Sequence, residues 1–419
     1  MNRPPPAGKL ASGLRTELCA AVDEAFERRQ VPLLQRLVEQ PSNTSAKADV
    51  EAAAAIVDEA ALEVGLVVER VRDPKGQYAD HRIYRTPVTR ELASSIALVG
   101  HVDTVFPRSL GFLAFARDGD IVRGPGVLDM KSGLTAILGG IAALRDVLGV
   151  RAEALPLRFV CNTDEEVGSP SSEPIFSGLA SRLSCALVFE AGRDGDRIVT
   201  TRKGGGMFEL VVHGKAAHAG NDHASGVNAI HALALLVPRI EALTDYARGV
   251  TVNVGVIAGG TSKNTVPAQA SVLVDTRFDT LADAERTIAA LRELAATPLR
   301  PRDWAPARLR AVTATLGGAM TRPPMEAGED TQALRRRYEA HAVEVGLGIG
   351  EAPRQGGGSD GNLLAAQGVP TIDGLGPHGK FFHSVQEWSS LPSLRKKTQA
   401  LACFLAEELA AITGAQEST

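Results

Sequence analysis

SSIALVGHVD (residues 94–103) is an apolar run of strand length that stops abruptly at His101 and Asp103. The same event recurs twice. LPLRFVCNTDEE (155–166) runs into Asp164, Glu165 and Glu166, and SCALVFE (184–190) runs into Glu190. A helix-like stretch, 131–148, separates the first two runs. Short apolar strands alternating with helices predict an α/β fold, a mostly parallel sheet with flanking helices. In such a sheet ligands collect outside the carboxyl ends of the strands. The acids and the imidazole fall at those ends.

The bulk numbers narrow the function classes. A chain of 419 residues can bury a sizeable core, and more naturally forms two domains than one. A formal net charge of −4 gives no polyanion-binding footprint, so nucleic acid is not expected as a partner. Cys19, Cys161, Cys185 and Cys403 show no CxxC spacing and read as free thiols. The N-terminus lacks an apolar signal core, and no long uninterrupted apolar stretch predicts a membrane span. A cytoplasmic protein is expected.

Working outward, 14–40 and 46–65 look helical, and 72–92 looks like an irregular loop or hairpin. The first dozen residues and the terminal GAQEST read as disordered ends. The texture changes after about residue 202. MFELVVHG, VTVNVGVIAG and QASVLVDTRF read as strands, with helices expected at 227–243 and 281–297. This predicts an inserted α+β domain, 202–320. The catalytic domain is then discontinuous, 1–201 plus 321–419, with helices at 328–346 and 388–412.

Several residues suit a metal centre. Imidazole and carboxylate ligands bind zinc or a similar ion at about 2.0–2.2 Å. His101 and Asp103, two apart on extended chain, point to one face, so Asp103 can hold the far ring nitrogen of His101. Asp129, in GPGVLDMKSG, either bridges two cations about 3.5–4 Å apart or caps the following helix. Adjacent Glu165 and Glu166 can divide the work, one on metal and one as general base, or form a solvated acidic loop. His383 supplies a second imidazole, with His378 in the same loop as a competitor. A phosphate-binding loop is rejected because GxxxxGK[ST] is absent.

Taken together, HVDTV, GPGVLDMKSG, NTDEEVGS, FEAG, GKAAHAG, GGTSKNTVPAQASVLVDTRF, GGGSDG and HSVQEW, in this order over about 95–390, resemble the M20 family of metallopeptidases. The likeness is to its glutamate carboxypeptidase (carboxypeptidase G2-like) branch. The resemblance implies a di-zinc exopeptidase-like α/β domain plus an inserted lid that often dimerises. It implies Asp129 as the bridging ligand, with a cis peptide to Met130. His101 and Glu190 would bind one ion, and Glu166 and His383 the other. Glu165 would be the general base and Asp103 the partner of His101. His218 would stabilise the oxyanion, while Asn264 and Arg277 would grip substrate, Arg277 at a carboxylate. Gly358 and Ser359 would lie beside the substrate, the alternative being a turn that caps the following helix through Ser359 or Asp360.

The expected function is hydrolysis of an amide C–N bond in a small carboxylate-bearing substrate, with two divalent ions. Zinc suits the ligands best, and manganese and cobalt are compatible. A homodimer through the insert is expected. Alternatives are a deaminating aminohydrolase on the same centre and a non-catalytic binding module, the latter disfavoured by the complete ligand set. The bulky Lys380-Phe381-Phe382 stands where the family usually has small residues. Those rings either line the pocket or pack in the core.

Overall fold

The computed structural model describes residues 10–90, 94–297, 299, 307–348 and 350–416. Residues 1–9 and 417–419 of the two expected disordered ends lie outside the described residues. The first helix already begins at Ser12, and the last runs on to Gln416. The chain divides into two compact units. One comprises 1–201, 327–355 and 359–419; the other comprises 202–326 and 356–358.

The first unit opens with α1 (Ser12–Ala25) and α2 (Val31–Glu39), joined by a π turn over Phe26–Gln30, and then α3 (Lys47–Glu63). The hairpin β1 (Val67–Val71) and β2 (His81–Arg85) leads to β3 (Ser95–His101). Short β4 (Ala116–Asp118) and β5 (Ile121–Arg123) precede α4 (Ser132–Leu148). Next come β6 (Leu157–Asn162), α5 (Glu173–Leu179) and β7 (Leu183–Val188).

The second unit holds β8 (Gly204–His213), β9 (Ala217–His218), α6 (Ala229–Glu241), β10 (Thr251–Gly259) and β11 (Thr265–Val266). It ends with β12 (Gln269–Phe278), α7 (Leu281–Ala296) and β13 (Thr313–Arg322). The chain returns to the first unit through α8 (Glu329–Glu344), α9 (Asp360–Ala366) and β14 (Thr371–Ile372). It closes with β15 (Gly379–Lys380), β16 (Trp388–Ser390) and α10 (Leu391–Gln416).

The main sheet runs β1-β2-β6-β3-β7-β14. From β6 to β14 the pairings are parallel, while β1 and β2 are antiparallel. Period-two alternation sends Ile96 and Leu98 of β3 to the core that holds α4 and α10. It sends Ala97 and Val99 to the opposite core with Phe176, Leu363 and Leu364. Both faces are covered, so the strand reads as a continuous apolar run. Each fully buried Leu, Ile or Val contributes about 1.5–3 kcal/mol.

The stretch Val127–Ala154, built around α4, is long and apolar enough by composition to cross a bilayer, which qualifies the expectation from sequence. Its apolar side chains, among them Leu134, Ile137 and Ile141, are spent on the core.

In the second unit an antiparallel sheet, β10-β12-β8-β13, packs one face on α6 and α7 through Leu210, Val272, Leu233, Leu236 and Leu291. The second boundary falls after Glu326 rather than at 320. The reason is that β13 carries the chain to Arg322, and Met325 and Arg202 then exchange backbone hydrogen bonds of 3.0 and 3.1 Å. Its small and glycine residues hid β13 from the periodicity reading.

The stretch 72–92, expected as an irregular loop or hairpin, forms the turn and second strand of the β1–β2 hairpin, and β2 is an interior strand of the sheet. Its polar face is buried because α3 neutralises it. Arg82 pairs with Glu51 and Asp58, and the Tyr84 hydroxyl donates to Asp58 at 2.7 Å.

Candidate metal centre

Three strand ends and two loops deliver the candidate ligands. His101 is the last residue of β3 and lies beside Asn162 at the end of β6. Glu165 and Glu166 open the 3-10 turn that follows β6. Glu190 follows the end of β7 by two residues. Asp129 sits in the kinked turn before α4, with a cis peptide to Met130. Gly133 lets that turn approach the end of β7; a Cβ there would lie 2.1 Å from the Phe189 carbonyl oxygen. His383 lies between β15 and β16.

The side chains converge into two groups that share Asp129: His101 with Glu190, and Glu166 with His383. His101 Nε2 lies 3.3 Å from Asp129 Oδ1 and 3.6 Å from Glu190 Oε1. His383 Nε2 lies 3.3 Å from Asp129 Oδ2 and 3.1 Å from Glu166 Oε2. Asp129 thus turns one oxygen to each group. A tetrahedral ion with bonds of 2.0–2.2 Å sets its ligands about 3.4 Å apart. The observed separations match that edge. His101 Nε2 and Glu166 Oε1 are also buried without a hydrogen-bond partner, which buried polar atoms rarely tolerate unless something else satisfies them. The donor set and its spacing therefore fit a pair of divalent ions. His378 joins neither group; it packs edge-on against Trp388.

The charges in the centre lean on one another. Burial pushes the Glu190 acid well above the usual carboxylate range, and Asp129 adds to this. Burial and then Asp129 raise Glu166, although His383 opposes them. Asp129 is held below its ordinary value despite burial, because His101 and His383 both face it. Asp129 and then Glu166 pull His383 up to about 10. Burial disfavours a charged His101, but Asp103, Asp129 and Glu190 overcome it and raise that imidazole well above its usual value.

Asp103 does more than hold His101. The closest partner of His101 Nδ1 is the Asp103 backbone carbonyl, at 3.0 Å; the carboxylate stands off at 3.4 Å. That carboxylate accepts from the Thr44 hydroxyl at 2.7 Å and from the backbone N–H groups of Glu165 and Glu166 at 3.3 and 3.2 Å. It therefore sets the turn that presents both glutamates.

Glu387 was not singled out from sequence. It is fully buried and accepts from the backbone N–H groups of Gly126, Leu128 and Asp129 at 3.0, 2.7 and 2.9 Å. It fixes the turn that carries Asp129. Burial lifts its acid to about 7, although the three amides favour the charged form. Only its place four residues after His383 hinted at a role.

The second unit contains the other candidates. β9 and β11 form a two-residue ribbon that pairs His218 with Thr265. His218 Nδ1 accepts from the N–H groups of Gly220 and Asn221 at 3.1 and 3.0 Å, so the ring hydrogen resides on Nε2. The Asn264 carbonyl accepts from Ala219 N–H at 2.9 Å, and its side-chain oxygen accepts from Ser262 Oγ at 2.7 Å. The Arg277 fork is engaged by Asp275, with two contacts of 2.9 Å.

Gly358 packs against Arg322; a Cβ there would lie 2.4 Å from Arg322 Cδ. Ser359, expected beside the substrate, is instead buried. It caps α9 by accepting from Gly361 N–H at 3.1 Å and donates to Asp373 at 2.6 Å. Its one hydrogen is committed to a buried acid, so the hydroxyl does not donate to a ligand in this arrangement.

Residues 200–303 match the peptidase dimerisation domain of M20 proteins. Carboxypeptidase G2 from Pseudomonas sp. (strain RS-16) is 29% identical over 369 residues, 87% of this chain and 85% of that protein. The chain thus carries an M20 peptidase dimerisation domain and is a homologue of carboxypeptidase G2. Two solved structures share the M20 fold. Aminopeptidase PepT from Bacillus cereus aligns with a TM-score of 0.75 at 21% identity, over 92% of this chain and 99% of that one. The Bacillus subtilis YXEP protein, described as a dinuclear metal binding peptidase of the M20 family, aligns with a TM-score of 0.65 at 17% identity, over 93% and 99%. The chain is accordingly a hydrolase.

Two outcomes follow from the geometry. Glu387→Ala strands three buried N–H groups and should cost about 2–5 kcal/mol of stability in denaturant unfolding, with lower metal content after dialysis. Unchanged stability and stoichiometry would show that the Asp129 turn holds itself. Second, any ion that binds must displace protons from His101 and His383, whose affinity for protons is raised. Calorimetry in buffers of different ionisation enthalpy should show proton release, and affinity should fall as pH drops, by about tenfold per unit for each proton displaced. Affinity that is flat between pH 8 and 6 would contradict the raised imidazoles.

Proposed function

We propose that this M20 hydrolase uses two divalent ions to cleave the amide of a small carboxylate-bearing N-acyl amino acid or peptide. The observation that carries the reading is the Asp129 carboxylate, with one oxygen in each of two His-and-carboxylate groups. Zinc suits the donors best, with manganese and cobalt compatible. Ions bound there would lower the pKa of a water molecule and polarise the scissile carbonyl.

The residues of the chain then have separate tasks. Glu165 takes the proton from the attacking water and returns it to the leaving amine. Asp103 holds the backbone of Glu165 and Glu166 in register for this. His218 donates its Nε2 hydrogen to the developing oxyanion; the two amides on Nδ1 support that tautomer. Asn264, with its side-chain oxygen taken by Ser262, offers its amide hydrogens to the substrate. Arg277 can serve a substrate carboxylate through Nη1, or through its fork once Asp275 yields. The inserted unit, which matches the dimerisation domain, is assigned the homodimer contact.

Metal-loaded and chelated protein should be assayed against acyl-glutamates, other N-acyl amino acids and dipeptides, with products identified by mass. Metal-dependent release of a free amino acid is expected. Release of ammonia instead would overturn the amide reading. In the same assay Glu165→Ala should keep its metal and lose several orders of magnitude in kcat, and His218→Ala should lose about 10²–10³ with metal binding unaffected. Near-normal turnover in either variant would remove that residue from the mechanism. Light scattering should give twice the monomer mass; a monomer at micromolar concentration would refute the dimer.

A further inference from the structure

The loop that carries Glu165 and Glu166 is held from behind by a histidine that belongs to neither metal group. His81 is the first residue of β2 and is fully buried. Antiparallel pairing sets the next residue, Arg82, opposite Cys161, so His81 stands where β6 gives way to the glutamate turn. Its Nδ1 lies 3.0 Å from Thr163 Oγ1, and its Nε2 lies 3.1 Å from Ser171 Oγ. Thr163 precedes the two glutamates and Ser171 follows them. One imidazole therefore spans both feet of the loop.

Counting hydrogens shows how that ring is used. The Thr163 hydroxyl donates to the Ala79 carbonyl at 2.8 Å. A hydroxyl has one hydrogen, so toward His81 it can only accept, and the ring hydrogen sits on Nδ1. Burial lowers the affinity of the ring for a second proton, against the pull of Asp164, Asp103, Asp360 and Asp73. Nε2 is left to accept from Ser171, whose Oγ also lies 2.8 Å from Asp73 Oδ1. Asp73 in turn accepts from the N–H groups of Lys75, Gln77 and Tyr78 at 3.1, 2.6 and 3.0 Å. The turn between β1 and β2 is thereby bonded to the far foot of the glutamate loop.

Asp164 closes the loop on itself. It accepts from the N–H groups of Ser171 and Ser172 at 2.7 and 3.2 Å and from the Ser172 hydroxyl at 2.6 Å. A loop closed in this way can still tilt as a unit. In the sheet β6 lies between β2 and β3. Asp103, just past β3, braces the loop from one side through the Glu165 and Glu166 amides. His81, on β2, braces it from the other.

We propose that His81 is a positioning residue for the general base: its Nδ1–H bond to Thr163 sets the tilt of the loop and with it the aim of Glu165 at the attacking water. This rests on the reading of Glu165 as the base. His81 acts through Thr163 and the loop, so its loss should show in the chemical step and leave substrate binding intact. A base misplaced by about 1 Å can cost on the order of 10² in rate.

The test uses metal-saturated full-length protein and an N-acyl amino acid that wild type hydrolyses, with Glu165→Ala as the reference for a lost base. His81→Ala should lower kcat by about 10–100-fold, with KM within about threefold of wild type and metal content unchanged. His81→Asn keeps an N–H donor near the Nδ1 position and should recover most of kcat. His81→Gln carries its amide nearer the Nε2 position and should not. Thr163→Val removes the acceptor and should reproduce the loss. The double variant His81→Ala/Thr163→Val should be no slower than either single one, because both delete the same bond. A merely structural role would lower Tm and the active fraction without separating Asn from Gln.

Near-normal kcat in His81→Ala, or equal losses in His81→Asn and His81→Gln, overturns the proposal. So does a double variant in which the two losses multiply. If His81→Ala fails to fold, Thr163→Val and the comparison of Asn with Gln decide the same question. Normal turnover in Glu165→Ala would instead sink the base reading on which the proposal stands, whatever the His81 variants do.

Discussion

The centre depends on one shared carboxylate. Asp129 must turn one oxygen toward His101 and Glu190 and the other toward His383 and Glu166. That requirement draws strand ends, a kinked turn and a distant loop to one place. It also concentrates negative charge where water is scarce. Two imidazoles cannot balance this many acids, and burial drives Glu190 and Glu166 toward their protonated forms. A pair of divalent cations would resolve that imbalance, which gives the chemistry of the fold a stated physical origin.

Backbone amides hold the centre in place. Glu387 gathers three N–H groups from the Asp129 turn, and Asp103 gathers two from the Glu165–Glu166 turn. A carboxylate that accepts several amides locks a loop more firmly than apolar packing would, because directional bonds fix both position and orientation. Two of the turns that deliver candidate ligands are thus each tied down by an acid from another part of the chain. Rigidity of this kind keeps ligand spacings near the tetrahedral edge. The aromatic pair before His383 lies outside that machinery, partly exposed, with Phe382 edge-on to the His383 imidazole.

Much of this was legible beforehand. Strand runs ending on His101, Glu165, Glu166 and Glu190 pointed to the site because a parallel sheet buried on both faces must be apolar until the strand ends. The misreadings have physical causes. The stretch around β2 read as loop or hairpin and is the hairpin, but its place inside the sheet was hidden because its arginine is neutralised by acids on α3, a partner no local window contains. β13 was invisible because its small residues leave no periodic signal. Of the two roles open to Ser359, the structure shows the helix cap, with its hydroxyl donated to Asp373.

The sequence by itself determined the alternation of strand and helix, the candidate ligands that the structure groups around Asp129 and, through eight ordered motifs, the M20 resemblance. Those properties reside in local patterns and in residue chemistry. Only the tertiary structure decided which acid serves which partner. It put the Asp103 carbonyl, ahead of the carboxylate, on His101 and sent the carboxylate to Thr44 and the glutamate turn. It recruited Glu387 from more than 250 residues away to hold Asp129. It also turned Phe381 and Phe382 outward. Hydrogen-bond partners and exposure depend on distances between remote segments, and a linear pattern does not encode those distances one residue at a time.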